Sequence, residues 1–393
     1  MDILVKRTYK YRIYPFRSQI SRLENQFSMC RHLWNWSLLE RVNFYEHSGG
    51  RLTYEHQAMA LPILKQNRPW YRSVHSQVLQ NVLKRLQSAF DNFFRRVKEG
   101  GEAPGFPRFK KRGNWTSITY PQYHAVPAEE ISVPKIGMIR MKLHRNLPGK
   151  AKVKTLTLKK EGEKWFACFS FEDLLETEPK HDLFSAVGID MGLISLYHDT
   201  DDQTVQTPKL LRQMEKKLRR LHRRLSKAEK GTAKVRILKA LHKCYHRIRC
   251  RRLDFLHGKV NELLAKYDII CIEDLRIANM TRRPKPKQDE ETGRFLPNGA
   301  AAKAGLNKSI LDACWGEFFH ILRYKAEALC KVVVAVPPRF TSQKCSVCGR
   351  MIRKSLSIRT HQCVCGYVAD RDLNAALNIK RLGLETLFAG LAN

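Results

Sequence analysis

Apolar residues recur at two different spacings along this chain, and the spacing changes where the architecture should change. Thr8-Tyr9-Lys10-Tyr11-Arg12-Ile13-Tyr14 reads as a strand stopped by Pro15. Ile20, Leu23, Phe27, Cys30 and Trp34 then step by three and four, which predicts a helix. A second helix carries Leu79, Val82, Leu86, Phe90, Phe93 and Val97 and stops at Gly100-Gly101. The first hundred residues are therefore expected to be one strand followed by helices.

The period drops to two between 131 and 171. Val133 to Leu143 alternates in part, and Thr155-Leu156-Thr157-Leu158 and Trp165-Phe166-Ala167-Cys168-Phe169 flank a Glu161-Gly162 turn. With the opening strand, these segments are expected to close a small barrel around the helical segment. Short apolar strands return at Val187-Gly188-Ile189 and Ile269-Ile270-Cys271-Ile272. Between them, Leu211, Met214, Leu218, Leu221 and Leu225, then Leu238, Leu241, Tyr245 and Ile248, give two helical seams parted by Gly231. That pattern predicts an antiparallel helical hairpin. Residues 281–304 read as a long mobile loop. The fold class is multidomain α+β.

Charge sharpens the hairpin. Residues 209–252 hold 18 Lys or Arg against two Glu, so one face packs and the remainder is positive. The whole chain of 393 residues has 72 Lys plus Arg against 37 acids, a net charge of +35. Charge of one sign repels itself unless a polyanion neutralises it, so nucleic acid is the expected partner. No apolar run is long enough for a membrane span, no signal peptide opens the chain, and no basic amphipathic anchor marks either end. Arg219, Arg220, Arg223 and Arg224 are the hairpin residues expected to meet phosphates. Pro104-Gly105-Phe106-Pro107-Arg108-Phe109-Lys110-Lys111-Arg112-Gly113-Asn114-Trp115 interleaves basic and aromatic residues on a stiffened loop. Arg108, Lys110, Lys111 and Arg112 suit phosphates while the rings stack on bases. A solvated loop whose aromatics tuck into the core fits the same residues equally well.

Eleven cysteines divide into two groups. Cys30, Cys168, Cys244, Cys250, Cys271, Cys314 and Cys330 are scattered, and the odd total implies a reducing, cytoplasmic compartment. Cys345-Ser346-Val347-Cys348-Gly349 and Cys363-Val364-Cys365-Gly366 are pairs separated by 14 residues, the pattern of a zinc ribbon. Thiolates select Zn²⁺, and the glycine after each pair permits a positive-φ turn. The second pair is one residue tighter than usual. A closed four-cysteine site is structural, so one zinc ion is expected here, and a catalytic metal must sit elsewhere.

Three acidic motifs offer that place. Val187-Gly188-Ile189-Asp190 and Ile269-Ile270-Cys271-Ile272-Glu273 are apolar strands ending in acids, and alternation puts Glu273 and Asp274 on opposite sides. Ala369-Asp370-Arg371-Asp372 opens a helix. Taken singly, each acid is better read as a turn or cap residue. As a set in a strongly basic chain they have a chemical reason to meet. Phosphodiester hydrolysis needs an activated water and a stabilised leaving oxygen, which two Mg²⁺ ions about 4 Å apart supply.

These motifs also occur in a familiar order. The chain resembles the TnpB family, transposon-encoded RNA-guided nucleases related to compact type V CRISPR effectors, over nearly its whole length. The resemblance rests on Tyr11-Arg12-Ile13-Tyr14-Pro15, Cys30-Arg31-His32-Leu33-Trp34-Asn35-Trp36, Pro104 to Lys110, Gly188-Ile189-Asp190-Met191-Gly192, Ile272-Glu273-Asp274-Leu275, Thr341 to Gly349 and Asp370 to Ile379. It implies a RuvC-type, ribonuclease H-like nuclease with Asp190, Glu273 and Asp372 as catalytic Mg²⁺ ligands. Asp372 is taken over Asp370 because the family's acid precedes the step seen here as Leu373-Asn374-Ala375. The implied domains are a wedge-like β-barrel over 1–14 and 115–180 and a helical recognition lobe over 15–114. The nuclease domain covers 181–341 and 369–393, with the basic hairpin at 209–257, and a zinc ribbon covers 342–368. The implied partners are a guide RNA from the transposon end and double-stranded and single-stranded target DNA cut beside a short motif. One protein monomer per guide RNA is expected, in a prokaryotic cytoplasm and at the nucleoid. Two other functions share the motifs: a guided DNA-binding regulator without cleavage, and a transposase or recombinase accessory protein. The intact acids weigh against the first, and the absence of a Tyr or Ser strand-transfer motif against the second.

Overall fold

The opening strand, β1, runs Asp2–Tyr14, beyond its strict alternation, because β6 (Lys164–Glu176) pairs with it from Asp2↔Glu176 to Ile13↔Trp165. The computed structural model describes residues 2–100, 104–149, 151–176, 185–229, 231–355 and 357–391. The chain falls into two compact units, Met1–Thr177 and Glu178–Asn393. The expected change of domain near 180, Gly101 of the expected helix stop and Lys230 of the basic run lie outside the described residues.

In the first unit β1 is followed by α1 (Arg17–Ser48), α2 (Tyr54–Met59), α3 (Leu61–Asn67), a 3₁₀ turn at Pro69–Ser73, and α4 (Ser76–Lys98). Leu23, Phe27, Cys30 and Trp34 of α1 are buried, as are Leu79, Val82, Leu86 and Phe90 of α4, whereas Val97 is exposed. Strands β2 (Ser117–Tyr120), β3 (Glu130–Val133), β4 (Gly137–Lys142) and β5 (Lys152–Glu161) join β1 and β6 in an antiparallel sheet of order β2-β5-β6-β1-β4-β3. The alternating stretch from Val133 to Leu143 is therefore not one strand. It is the end of one hairpin arm and the whole of the next, turned at Lys135 and Gly137 with φ of 66° and 101°. Among the described residues no backbone ladder joins the edges β2 and β3. Tyrosine hydroxyls reach across instead: Tyr120 donates to the Pro134 carbonyl (3.3 Å) and Tyr123 to that of Ser132 (2.9 Å). Tyr11, Trp165 and Phe169 from the sheet share one core with Leu23, Phe27 and Leu79 from the helices.

The second unit begins with β7 (Ala186–Met191), β8 (Ser195–Asp199) and β9 (Thr204–Gln206), then α5 (Leu210–Lys227) and α6 (Thr232–Lys266). Next come β10 (Ile269–Glu273), α7 (Ile277–Met280), β11 (Lys287–Gln288), β12 (Phe295–Leu296), α8 (Ala300–Ala313), α9 (Trp315–Ala328) and β13 (Val332–Val336). The chain closes with β14 (Thr360–Gln362), β15 (Val368–Asp370) and α10 (Arg371–Leu391). The main sheet has the order β13-β10-β7-β8-β9, with the first three strands parallel and β8 antiparallel to both of its neighbours. β7 and β10 are covered on both faces, which explains their unbroken apolar runs. Val187 and Ile189 pack with Leu256, Val260, Leu263 and Phe318 of α6 and α9 on one face. Cys271, Val334 and Val336 pack with Ile379 of α10 on the other.

Two expectations change here. The hairpin seam on α6 is Ile237, Leu241, Cys244 and Ile248, while Leu238 and Tyr245 are exposed. Both stripes satisfy three-and-four spacing and share two members, so the partner helix decides between them. The 281–304 stretch is not one loop. Among its residues β11 and β12 pair as a short hairpin, held by Asp289, whose Oδ1 accepts from the Glu291 and Thr292 amides, and α8 starts at Ala300.

Candidate catalytic acids, thiol cluster and basic faces

Strand parity and register bring the first two acids level. β7 and β10 are parallel neighbours with Ile189 beside Ile272, so the next residues, Asp190 and Glu273, stand side by side. Gly188 and Cys271, two residues earlier on the same face, lie against α10. A Cβ on Gly188 would stand 2.1 Å from the Ala376 carbonyl oxygen, and one on Gly383 would stand 2.3 Å from Cys271 Sγ. Only glycine allows helix and strands so close. Asp372 lies one helical turn before Ala376, and Asp190 lies two residues after Gly188. The third acid is thereby carried toward the first two.

The electrostatics record the meeting. Burial pushes Asp190 well above the ordinary carboxylate range, and the charges of Glu273, Asp372 and Asp370 push it further, while Arg371 opposes them. Burial also raises Glu273, against the hydrogen bond that Thr341 Oγ1 donates to its Oε1 at 2.7 Å. Glu273 is buried and Asp274 is exposed, as alternation requires. Asp370 has a different task. Its Oδ1 accepts from the Asp372 amide at 2.7 Å and from that of Leu373 at 3.4 Å, capping α10. Asp372 is left with Arg359 at 3.7 Å. His198, opposite Asp190 across the β7–β8 ladder, is buried between Asp202 (2.8 Å) and Asp370 (4.0 Å).

The cysteines meet more tightly. Sγ atoms of Cys345, Cys348, Cys363 and Cys365 all lie within 4.8 Å of one another, the one such set among the described residues. The three carboxylates therefore do not close to that spacing. Hard ions that retain waters tolerate such looser donors, and a four-coordinate thiolate site does not. Cys345 and Cys365 are 3.8 Å apart and Cys348 and Cys363 are 3.5 Å apart. These match the edge of roughly 3.8 Å expected for a tetrahedron with 2.3 Å metal–sulfur bonds. Gly349 and Gly366 take φ of 74° and 88°, and their amides turn back to the carbonyls of Cys345 and Cys363. Burial alone would raise the Cys345 thiol, but the amides of Cys348 and Val347 and the His361 ring bring it down to about 6. A thiol so lowered is ready to bind a cation.

Residues with no assigned role in the sequence connect the two clusters. Asn374 and Asn378 of α10 are buried. Asn374 Nδ2 donates to the Lys344 carbonyl at 2.8 Å, and its Oδ1 accepts from the Ser346 amide at 3.0 Å. Asn378 Nδ2 donates to the carbonyls of Thr341 (2.9 Å) and Lys344 (2.7 Å). The available signal was three- and four-residue spacing: Asn374 and Asn378 are one turn apart on the helix that carries Asp372.

Each unit carries its own set of the expected basic residues. In the first unit, the backbone of the 104–115 loop is clamped to α1. Trp34 Nε1 donates to the Arg108 carbonyl (3.1 Å), and Asn35 bonds both the amide (2.8 Å) and carbonyl (3.1 Å) of Lys110. Arg108, Lys111 and Arg112 are exposed and Lys110 is half-buried near the Trp34 ring. The loop's aromatics divide: Phe106 packs edge-on against Phe90 and Phe93, Trp115 is buried, and Phe109 is exposed. Trp34, Arg85, Lys84, Asn81, Asn92 and Asn114 line a cleft of about 590 Å³ beside it. In the second unit, Arg219, Arg220, Arg223 and Arg224 are exposed along α5 and line a shallow groove with Lys216 and Lys227. No helix of the described residues is long and apolar enough to cross a membrane.

Known proteins match this chain both in segments and along its length. A family model described as "Probable transposase" matches residues 168–283, one described as "Helix-turn-helix domain" matches 1–50, and one described as "Cas12f1-like, TNB domain" matches 315–379. The chain is 32% identical over 394 residues to the Escherichia coli K12 protein named "Putative RNA-guided DNA endonuclease InsQ", covering 98% of this chain and 94% of the relative. It is 30% identical to the Streptomyces pristinaespiralis protein named "Putative RNA-guided DNA endonuclease", covering 98% and 91%. The protein in a solved Cas12f1–sgRNA–target DNA complex superposes with a TM-score of 0.50 at 15% identity, over 92% of this chain and 82% of that one, so the compact type V-like multidomain α+β fold is shared. By the length and identity of these matches, the chain belongs to the TnpB family.

Proposed function

We propose that this protein is an RNA-guided DNA endonuclease of a transposon, hydrolysing phosphodiesters at a RuvC-type site formed by Asp190, Glu273 and Asp372. The observation that carries the reading is the level pairing of Asp190 with Glu273, with Asp372 on the helix held over them by Gly188. The elevation of Asp190 by burial and by the charges of Glu273 and Asp372 is what an anionic cation site produces before its cation binds. Divalent ions of the Mg²⁺ class, two in number, would supply Lewis acidity and an activated water there. The donor set fits them, since it is three hard carboxylates that leave room for waters and substrate phosphate. The chain's own residues orient and exclude. Burial of Glu273 keeps one oxygen out of solvent, and the Asp370 cap fixes the first turn on which Asp372 sits.

The four thiols are read as the ligands of one structural Zn²⁺. The six-stranded sheet is read as a wedge-like barrel and α1 to α4 as a recognition lobe, with 342–368 as a zinc ribbon inserted in the nuclease domain. The exposed arginines of α5 and the clamped loop Arg108–Arg112 would take the guide RNA and target DNA backbones, with sequence read by pairing. One chain per guide RNA completes the assembly.

The test is guided cleavage by Asp190→Ala, Glu273→Gln and Asp372→Asn proteins carrying copurified RNA. Each variant should bind target DNA as the wild type does and fail to cut it. Cutting by Asp190→Ala would refute the assigned acids. Wild-type protein that binds guided DNA with Mg²⁺ and never cuts would favour the regulator, and RNA-independent joining of DNA ends would favour the recombinase.

A further inference from the structure

Thr341 touches both halves of the nuclease unit's chemistry. Its hydroxyl donates to Glu273 Oε1 at 2.7 Å with both residues buried, and its carbonyl accepts from Asn378 at 2.9 Å. Four residues later the chain enters the thiol cluster at Cys345. The connecting turn is held at Lys344, whose carbonyl accepts from Asn374 and Asn378 together, and at Ser346, inside the first cysteine pair. A buried amide left unpaired costs about 1–3 kcal/mol, so these bonds resist local rearrangement.

We propose that Thr341 is a positioning residue for Glu273, fixed in place by Asn378 and the thiol knuckle. Holding Oε1 leaves Oε2 as the oxygen offered to the face shared with Asp190 and Asp372. A free carboxylate rotates about its last bond and offers either oxygen, whereas Mg²⁺ accepts only near-octahedral directions. One hydroxyl therefore removes the freedom that most opposes ordered binding. The inference rests on the reading of Glu273 as a metal-binding carboxylate.

The experiment compares Thr341→Val, which keeps the shape and loses the hydroxyl, with Thr341→Ser, which keeps the hydroxyl, and with Glu273→Gln. Single-turnover cleavage of guided DNA is measured against Mg²⁺ concentration, with zinc per chain and the thermal midpoint recorded for each protein. Thr341→Val should hold its zinc and need roughly 10- to 100-fold more Mg²⁺ for half-maximal cutting, the usual cost of losing a bond that orients a metal ligand. Thr341→Ser should stay close to the wild type. Thr341→Val with wild-type Mg²⁺ dependence beside an inactive Glu273→Gln would overturn the inference alone. Glu273→Gln that cuts normally would overturn the reading beneath it. Loss of zinc in both Thr341 variants would show a purely structural threonine and also overturn the inference.

Discussion

Gly188→Ala tests whether the carboxylates depend on the spacing between α10 and the sheet. The added Cβ would stand 2.1 Å from the Ala376 carbonyl oxygen, 2.7 Å from the Lys380 amide nitrogen and 2.9 Å from Lys380 Cβ. Two of these atoms are backbone, so no rotamer change relieves the clash. Reaching an ordinary separation near 3.4 Å requires about 1.3 Å of movement between strand and helix in a close-packed interior. Overpacking of this kind costs about 1–3 kcal/mol. The same movement separates Asp190 from Asp372, and a misplacement of about 1 Å costs on the order of 100-fold in rate. The assay is the urea midpoint together with single-turnover cleavage at saturating Mg²⁺, with target binding measured separately. Gly258→Ala is the control: it lies inside α6 with no atom within 4 Å of the new Cβ, so it should be neutral or stabilising by up to about 1 kcal/mol. A Gly188→Ala protein that unfolds and cuts like the wild type would refute the reasoning.

Three further outcomes are expected. Stripping zinc with a chelator should raise hydrogen exchange in 371–378 and abolish cutting, with both restored by Zn²⁺, because Asn374 and Asn378 would lose their carbonyl partners; a zinc-free protein that cuts at the wild-type rate contradicts this. In metal-free protein, burial and the neighbouring acids raise Asp190, so the folded chain holds a proton that the unfolded chain has released. Stability should then rise as pH falls from the raised folded value toward about 4 and be lost as pH climbs through it. Asp190→Asn should accordingly have a higher urea midpoint than the wild type near about pH 8, the gap closing in acid; a lower midpoint there contradicts the assignment. Finally, RNA affinity should fall steeply with salt, and replacing Arg219, Arg220, Arg223 and Arg224 by Gln should flatten the log–log slope by roughly 0.7–0.9 for each phosphate no longer neutralised. An unchanged slope would remove α5 from the nucleic-acid surface.

The legible part of this protein was whatever a strand or helix period fixes locally. Period two made Glu273 the inward acid and Asp274 the outward one, and the structure has them buried and exposed. Glycine after each cysteine pair announced positive-φ turns, which occur at Gly349 and Gly366. The unread part depends on partners distant in sequence. The α6 seam had two admissible stripes, and only packing against α5 selects Ile237 and Cys244 over Leu238 and Tyr245. Gly188 read only as part of an apolar strand, yet its purpose is a helix that arrives almost 190 residues later. How the edges of the six-stranded sheet meet was also unread: β2 and β3 share no backbone ladder among the described residues, and Tyr120 and Tyr123 reach across through their hydroxyls, whose bonding no alternation pattern encodes. Thr341 stood within a recognised motif, but its bond to Glu273 spans 68 positions.

These long-range contacts share a physical cause. Glu273 and Asp372 raise the buried Asp190, so like charges oppose the metal-free site and side-chain freedom would let them swing apart. What opposes that is rigid: parallel register sets Asp190 beside Glu273, a glycine sets the helix distance by backbone contact, and Asp370 caps the turn that carries Asp372. The thiol knuckle adds a fourth constraint through Asn374, Asn378 and Thr341. The register and the glycine contact cannot relax by a rotamer change, and the side-chain bonds hold the helix that carries Asp372 in place on them. Repulsion is then stored as raised proton affinity rather than released as motion, and a cation that discharges it should stabilise the unit that it activates.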